Sequence, residues 1–340
     1  MIFRSRAPLR IGLAGGGTDV SPYSDLFGGA VLNTTITLFA HASIEPIEGS
    51  KIVFEAKDRS ERVVLDWQDE IPIDKVLPLH KGIHNQLVKV GLLGRNPYKL
   101  STFVEAPAGS GLGTSSTLTV AILGAFQRWL GIPYGEYDTA QLAYRIERGD
   151  LRMAGGKQDQ FAATFGGFNF MEFFSDERVI VNPLRIGNTV RLELAHNLLL
   201  FYTQKSRDSA LIIKEQQKNI DSKSEDAIEA THRLKEQAVM MKEALLLGKV
   251  DQLGDIFHYG WQNKKKMAAE ITNPQIDEIY QCAMDNGASG GKISGAGGGG
   301  FMVFYAPKNS RHSIVRALKN IGVIHQPYQF TNEGLTTWQI

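Results

Sequence analysis

The stretch from Val104 to Leu118 is the part of the sequence that most constrains the fold. A β-compatible run ends at Pro107, glycines follow at alternate positions, and hydroxyl residues then open an apolar segment with helical spacing. This order predicts a strand, a loop of nearly bare backbone and a helix N-terminus. Glycine leaves successive N–H groups free to face a ligand, and the helix start adds further donors. The stretch is therefore suited to binding a phosphate.

Two common phosphate-binding patterns do not fit this loop. A P-loop ends in Gly-Lys-Ser/Thr, whereas Thr114 follows Gly113 here with no lysine. The dinucleotide-binding pattern would need a glycine at position 114. Taken alone, the stretch leaves an ordinary glycine-rich turn into a helix as the alternative.

The composition favours a small, locally recognised partner. The 340 residues include 37 basic and 36 acidic side chains, and the formal net charge of +1 gives no overall field toward nucleic acid or anionic lipid. The only cysteine, Cys282, cannot form an internal disulfide, and no run of eighteen apolar residues occurs. We therefore expect a soluble cytoplasmic protein without nucleic-acid or membrane partners, and the sequence leaves a homodimer open.

Hydrophobic patterning predicts an α+β chain with a domain boundary near residue 190. Strands are expected over 9–14, 31–47, 51–56, 63–67, 168–174, 179–184, 191–203, 301–305 and 323–330. Helices are expected over 79–90, from the glycine loop to Gly131, twice within 138–165, repeatedly between 206 and 286, and over 311–321. Helix-rich and strand-rich parts mix along the chain.

Three glycine-rich turns, at 14–19, 109–116 and 294–300, stand in an order that resembles the GHMP kinase superfamily. The quoted motifs are Pro8-Leu9-Arg10-Ile11, then Pro107 to Ser115, and finally Lys292 to Gly299. They span the chain from end to end. The resemblance implies a ribosomal-protein-like N-terminal α/β domain over 1–190 and a ferredoxin-like C-terminal domain over 191–340. The active site would lie between them.

The resemblance also implies ATP as phosphoryl donor and Mg²⁺ as cofactor. The expected ATP-binding residues are Pro107, Gly109, Ser110, Gly111, Leu112, Gly113, Thr114, Ser115 and Ser116. Phosphoryl transfer needs neutralised phosphate charge and an aligned nucleophile whose proton has an acceptor.

Asp159 matches the catalytic base of such kinases, and Arg10 is the expected cation beside it. Glu147 and Thr114 are the expected Mg²⁺ ligands, because Mg²⁺ prefers a few hard oxygen donors. From the residues alone, Glu147 could instead form a solvated helix salt bridge, and Asp159 could be a helix N-cap.

Asp19 indicates a sugar acceptor. It lies nine residues after Arg10, where sugar kinases of this superfamily place an aspartate that hydrogen-bonds sugar hydroxyls, and a carboxylate can accept from two of them. The resemblance also assigns Thr18 to the sugar site. Gly17, Gly297 and Gly298 are expected in the same substrate site. The galactokinase signature Gly-Glu-His-Thr-Asp-Tyr is absent, which argues against galactose.

The run over residues 7–23 looks most like that of heptose kinases, and next most like the kinase part of L-fucokinase. The first resemblance implies phosphorylation of the anomeric C1 hydroxyl of a heptose 7-phosphate, on the route to GDP-activated heptose. L-fucokinase or another sugar 1-kinase is the alternative. A phosphorylated sugar needs a cationic pocket, for which Lys205 and Arg207 are candidates. A solvated charged turn is the other interpretation of these two residues.

An alternative from another class is a sensor that binds ATP and sugar without turnover. The discriminating feature is the survival of the base, the cation and the metal carboxylate. Asp159, Arg10 and Glu147 are all present, so the sequence favours an enzyme.

Overall fold

The computed structural model describes residues 1–205 and 209–340, which fold into two β-sheets surrounded by helices. The strands are β1 (Phe3–Ala14), β2 (Gly29–Pro46), β3 (Lys51–Ala56), β4 (Glu61–Asp66), β5 (Tyr98–Val104), β6 (Phe168–Phe173), β7 (Val179–Pro183), β8 (Leu198–Tyr202), β9 (Gly290–Ile293), β10 (Phe301–Tyr305), β11 (Ile324–His325) and β12 (Thr336–Gln339). The α-helices are α1 (Tyr23–Phe27), α2 (Pro78–Lys89), α3 (Thr114–Leu130), α4 (Glu136–Tyr144), α5 (Gln158–Phe165), α6 (Asn188–Asn197), α7 (Ser209–Asp221), α8 (Glu225–Leu246), α9 (Leu253–Lys264), α10 (Pro274–Asp285) and α11 (Arg311–Asn320). A π-helix spans Arg145–Asp150, and 3₁₀ turns span Val250–Gln252 and Ala269–Ile271.

The larger sheet has the strand order β12-β1-β2-β5-β3-β4, with β6 added on β2 and β7 on β6. Its pairs are antiparallel except β3 with β5. Helix α3 packs on β1 and β2, because Val120, Leu123 and Phe126 are buried at helical spacing. This packing fixes the N-terminus of α3 beside the end of β1.

The smaller sheet has the order β11-β8-β10-β9, and all its pairs are antiparallel. A shared apolar core joins the two sheets: Leu9 and Ile11 of β1 cluster with Leu200 of β8 and Val303 of β10. Because β10 begins directly after the third glycine-rich turn, this core brings that turn close to the loop that precedes α3.

Most of the expected elements are confirmed, but the short helix α1 was not expected and three further elements differ. Residues 191–197 belong to helix α6, so the expected strand over 191–203 is wrong for that half. Leu194 and Leu198 are buried four residues apart, whereas Leu192 is 58% exposed, and this spacing is helical rather than alternating. The expected strand over 323–330 shrinks to β11. Strand β12 was not expected.

Strand β12 returns to the first sheet and pairs with β1, with Trp338 opposite Arg4. The C-terminal residues therefore complete the N-terminal sheet, while the boundary near residue 190 stays a prediction. No helix among residues 1–205 and 209–340 combines the length and apolar character needed to cross a membrane.

Candidate active site

A cavity of about 700 Å³ lies where the three glycine-rich turns meet. Its walls come from the end of β1 and the turn after it, the loop before α3, the segment 148–159, the first turns of α7 and the turn that begins at Gly295. Segments far apart in sequence therefore surround a single space.

In the glycine loop before α3, residues that line the cavity alternate with residues that are buried against the protein. Gly109, Gly111 and Gly113 have φ of 72°, 79° and 78°, a left-handed conformation that favours glycine. Ser110 and Leu112 are buried between them. The Phe301 amide donates to the Ser110 carbonyl at 2.9 Å, and the Arg10 amide donates to the Leu112 carbonyl at 3.2 Å.

The alternation divides the predicted ATP-binding residues into those that line the cavity and those that do not. Pro107, Ser110 and Leu112 do not line the cavity, because the last two face the protein and Pro107 lies at the exposed end of the loop. The other predicted residues do line it: Gly109, Gly111, Gly113, Thr114, Ser115 and Ser116. Helix α3 begins there with Gly113 as its N-cap and no capping side chain. The first amides of α3 are thus suited to an anion in the cavity.

The third glycine-rich turn packs directly on this loop. The Ser294 hydroxyl donates to the Gly111 carbonyl at 2.9 Å. Gly297 and Gly298 were expected at the substrate, but they do not line the cavity. The Gly298 amide donates to the Ile271 carbonyl at 2.9 Å, so this part of the turn is committed to neighbouring protein.

Arg10, which is buried, forms an ion pair with the half-buried Asp159 in the cavity wall. The guanidinium Nε and Nη2 lie 2.8 and 2.7 Å from Oδ1 of Asp159, and Nη1 donates to the Gly111 carbonyl at 2.5 Å. The other carboxylate oxygen, Oδ2, lies 3.2 Å from where a Cβ on Gly113 would stand. Asp159 is the second residue of α5, whose N-cap is Lys157, so it is not an N-cap itself.

Asp19 presents a fixed carboxylate to the same cavity. Its Oδ2 accepts the Gln158 amide at 3.1 Å, and its Oδ1 accepts the Gly17 amide at 3.2 Å. A Cβ on Gly156 would lie 1.9 Å from Oδ2 of Asp19, so only glycine allows this approach. Asp19 and Gly17 both line the cavity, as a substrate site requires.

Thr18 does not line the cavity, and its expected contact with the sugar stays a prediction. Its hydroxyl lies 2.8 Å from the Gly15 carbonyl and 2.9 Å from the Ala30 carbonyl, and it accepts the Ala30 amide at 3.0 Å. The Thr18 side chain therefore holds the turn against β2.

Glu147 is fully buried in the π-helix, which excludes the solvated salt bridge. Its Oε2 accepts the Ser116 hydroxyl at 2.7 Å and a hydrogen bond from Gln160, and its Oε1 accepts the Thr119 hydroxyl at 3.1 Å. Nη2 of Arg148 lies 3.7 Å from Oε2 of Glu147.

The oxygen ligands that Glu147 and its hydroxyl neighbour offer fit Mg²⁺, with phosphate oxygens of the substrate and waters as the remaining ligands. One carboxylate and one hydroxyl are the few hard oxygens that Mg²⁺ takes from protein. No group of three or more His, Cys, Asp or Glu that could hold a metal occurs in the described part of the chain. The hydroxyl that bonds Glu147 and also lines the cavity belongs to Ser116, two residues beyond the predicted Thr114.

Two buried lysines that received no role from the sequence also line the cavity. Lys264 of α9 donates to the Gly16 carbonyl at 3.1 Å, and Lys292 of β9 donates to the Gly12 carbonyl at 2.9 Å. Burial lowers the pKa of Lys264 to about 8, with Arg10 lowering it further and Asp19 opposing the shift. Burial, Lys264 and Arg10 hold the pKa of Lys292 well below its usual value.

The sequence signals for these lysines were weak. Lys292 stands in the third quoted motif, whereas Lys264 opens a run of three lysines that resembles a solvated face. The predicted phosphate ligand Lys205 is exposed and does not line the cavity; its carbonyl accepts the Gly300 amide at 2.7 Å. Arg207 lies outside the described residues.

Comparisons with known proteins add family information to this geometry. The model of the GHMP kinase N-terminal domain matches residues 75–167, and that of the GHMP kinase C-terminal domain matches 241–324. A D-glycero-alpha-D-manno-heptose 7-phosphate kinase of Campylobacter jejuni is 42% identical over 337 residues, which cover 99% of both chains.

The crystal structure of a D-glycero-D-manno-heptose 1-phosphate kinase from Bacteroides thetaiotaomicron has a TM-score of 0.85 and 41% identity, and 99% of each chain is covered. The galactose complex of Lactococcus lactis galactokinase shares the fold, with a TM-score of 0.78, 17% identity and coverage of 98% of this chain and 95% of that one.

Proposed function

The chain belongs to the GHMP kinases, and from this premise we propose that it phosphorylates the anomeric C1 hydroxyl of D-glycero-D-manno-heptose 7-phosphate with ATP. The product is the 1,7-bisphosphate, an intermediate toward GDP-heptose and surface polysaccharide, and we place the reaction in the cytoplasm. One observation carries the proposal: the Arg10-bound carboxylate of Asp159 lies in one cavity with the glycine loop and Asp19. The similarity to the Campylobacter heptose 7-phosphate kinase supports the choice of sugar.

Asp159 is the proposed base. The C1 oxygen attacks the γ-phosphorus, its proton passes to Oδ2 of Asp159, and the bond between the γ-phosphorus and the bridging oxygen breaks to release ADP. Oδ1 accepts the hydrogen bond from Nε of Arg10 and forms the ion pair with its Nη2, so within the described residues Oδ2 is the oxygen left for the acceptor hydroxyl. The orientation of the base is therefore set before substrate arrives.

Arg10 joins the base to the glycine loop. Its guanidinium holds Oδ1 of Asp159 and donates through Nη1 to the Gly111 carbonyl. A cation at this position stabilises negative charge that builds on the transferred group. The loop amides and the N-terminus of α3 are proposed to hold the remaining phosphate oxygens, since they are donors beside the same space.

Ser116 and Glu147 are the residues that would hold Mg²⁺. When bound, the ion would neutralise negative charge on the β- and γ-phosphates of ATP. Thr119 and Gln160 hydrogen-bond the Glu147 carboxylate and so fix its orientation.

A substrate panel tests the proposed sugar. The chain is assayed with heptose 7-phosphate, free heptose, L-fucose and galactose, and the position of the new phosphate is determined by phosphorus NMR. We expect a C1 phosphate and a kcat/KM for heptose 7-phosphate at least about 100-fold above the others, since a site built for polar groups rejects analogues that lack them. The Asp159→Asn variant controls for contaminating kinases. A preference for L-fucose would replace the proposal with the L-fucokinase alternative.

A further inference from the structure

The ammonium groups of Lys264 and Lys292 converge over a floor made of Gly12 and Gly16. A Cβ on Gly16 would lie 3.9 Å from Nζ of Lys264, 4.0 Å from Nζ of Lys292 and 4.0 Å from Nε2 of Gln158. A Cβ on Gly12 would lie 3.8 Å from Nζ of Lys292. Three nitrogen donors thus surround the space beside the Cα atom of Gly16, which no side chain fills.

This cluster has more positive charge than the protein balances. Arg10 is paired with Asp159, and the two lysines share the carboxylate of Asp19 as their stabilising charge. Both lysine side chains are at least nine-tenths buried, and each gives a hydrogen bond to one backbone carbonyl although an ammonium has three hydrogens. A buried cation without a full set of partners is costly, so the site favours an added anion.

We propose that Lys264 and Lys292 bind the phosphate that the sugar substrate already carries. This assignment rests on the proposed function, because it takes the acceptor to be a phosphorylated sugar. Gly12 and Gly16 leave room for the phosphate oxygens, and Gln158 donates from the side. Charge-assisted hydrogen bonds from two ammonium groups suit a phosphate dianion.

The polyphosphate of ATP is a less suitable occupant. The loop over 109–116 and the start of α3 already offer donors for it, and Nη1 of Arg10 donates to the Gly111 carbonyl of that loop. The lysines instead donate to the carbonyls of Gly12, near the end of β1, and Gly16, in the turn that also carries Asp19. The Asp19 carboxylate and the two ammonium groups therefore meet at the same end of β1.

Kinetics of lysine variants test the proposal. In Lys264→Met and Lys292→Met the side-chain length is kept and the charge removed, and each variant is assayed separately. We expect the KM for heptose 7-phosphate to rise at least about thirty-fold, as for loss of a buried charge partner, while the KM values for ATP and free heptose change less than about three-fold. An equal rise for both sugars, or a rise confined to ATP, would overturn the proposal.

Lys81→Met is the matched control. Lys81 is also buried and lies 2.6 Å from Asp74, but it belongs to α2 and does not line the cavity. Its replacement should leave all three KM values unchanged. Removal of a surplus buried charge should leave the thermal midpoints of the Lys264 and Lys292 variants no lower than that of the wild type.

Calorimetric binding without ATP separates this inference from the proposed function. If the wild type does not phosphorylate heptose 7-phosphate, the proposed function fails, but mannose and mannose 6-phosphate still probe the lysine site. Tighter binding of mannose 6-phosphate that disappears in Lys264→Met supports the site. Equal binding of both sugars by the wild type, or a preference that persists in the variant, overturns it.

Discussion

Gly111 and Ser294 are separated by 183 residues in sequence and are in direct contact in the fold. The Ser294 hydroxyl donates to the Gly111 carbonyl at 2.9 Å, and a Cβ on Gly111 would lie 2.2 Å from the Ser294 carbonyl oxygen. Two turns of the candidate site therefore share a backbone contact that no side chain larger than hydrogen can enter.

Gly111→Ala should damage ATP binding. The added methyl group collides with the Ser294 backbone, and φ of 79° is unfavourable for alanine. We expect the KM for ATP to rise at least about ten-fold, since the loop must move away from its phosphate-binding position. Gly131→Ala is the control, because Gly131 has φ of 66° with nothing within 4 Å. That variant should lose about 1–2 kcal/mol of stability from strain alone, without a change in the KM for ATP. Equal kinetic effects of the two variants would contradict this explanation.

Asp159→Asn should abolish most turnover while ATP still binds. The amide oxygen can still accept from Arg10, but the group no longer accepts the proton of the sugar hydroxyl. We expect kcat to fall at least about 100-fold, in line with the value of a positioned base. Calorimetry should give a dissociation constant for ATP within a few-fold of the wild type. Turnover near the wild-type rate would remove Asp159 from the proposed role.

Ser116→Ala should raise the Mg²⁺ concentration needed for half-maximal activity by about ten-fold, a typical effect of altering the surroundings of a metal site. The physical reason is the bond between its hydroxyl and the buried Glu147 carboxylate. Thr117→Val is a matched control on the same helix, because the buried Thr117 hydroxyl has no hydrogen-bond partner among residues 1–205 and 209–340. A titration of Mg²⁺ at saturating ATP measures both. The prediction is wrong if the control shifts as much as Ser116→Ala.

The stability of the unliganded protein should increase as the pH rises from about 8 toward 10.5. The pKa of Lys264 is about 8 in the fold against 10.5 in the unfolded chain, so the unfolded state binds more protons in this window. Lys292 contributes in the same direction. Urea unfolding at pH 7.5 and 9.5 should therefore show a larger gain for the wild type than for Lys264→Met. An identical pH dependence in both proteins would disprove the role of Lys264 in this effect.

The sequence predicts the parts of the site whose chemistry is tied to backbone spacing. Arg10, Asp19 and Asp159 are predicted from sequence motifs, and all three line one cavity in the structure. The inward or outward direction of a side chain is harder to predict, because it depends on helix phase and on tertiary neighbours. For this reason the sequence does not show that the Thr18 hydroxyl bonds the Gly15 and Ala30 carbonyls, or that the Ser116 hydroxyl bonds Glu147.

Long-range contacts explain the other differences. Lys264 becomes part of the site only when α9 packs against the turn after β1, and its sequence neighbours are exposed or half-buried lysines. The exposure of Leu192 and the burial of Leu194 distinguish a helix from a strand only once the core is known. The pairing of β12 with β1 likewise has no local signal, since its partner lies more than 300 residues away.

That last pairing has a consequence for synthesis on the ribosome. Strand β12 emerges after every other strand described here, so residues 3–6 of β1 lack this edge partner until then. Unpaired edges are templates for association with other chains. A nascent chain stalled before residue 336 should therefore be prone to aggregate through the first residues of the strand that carries Arg10.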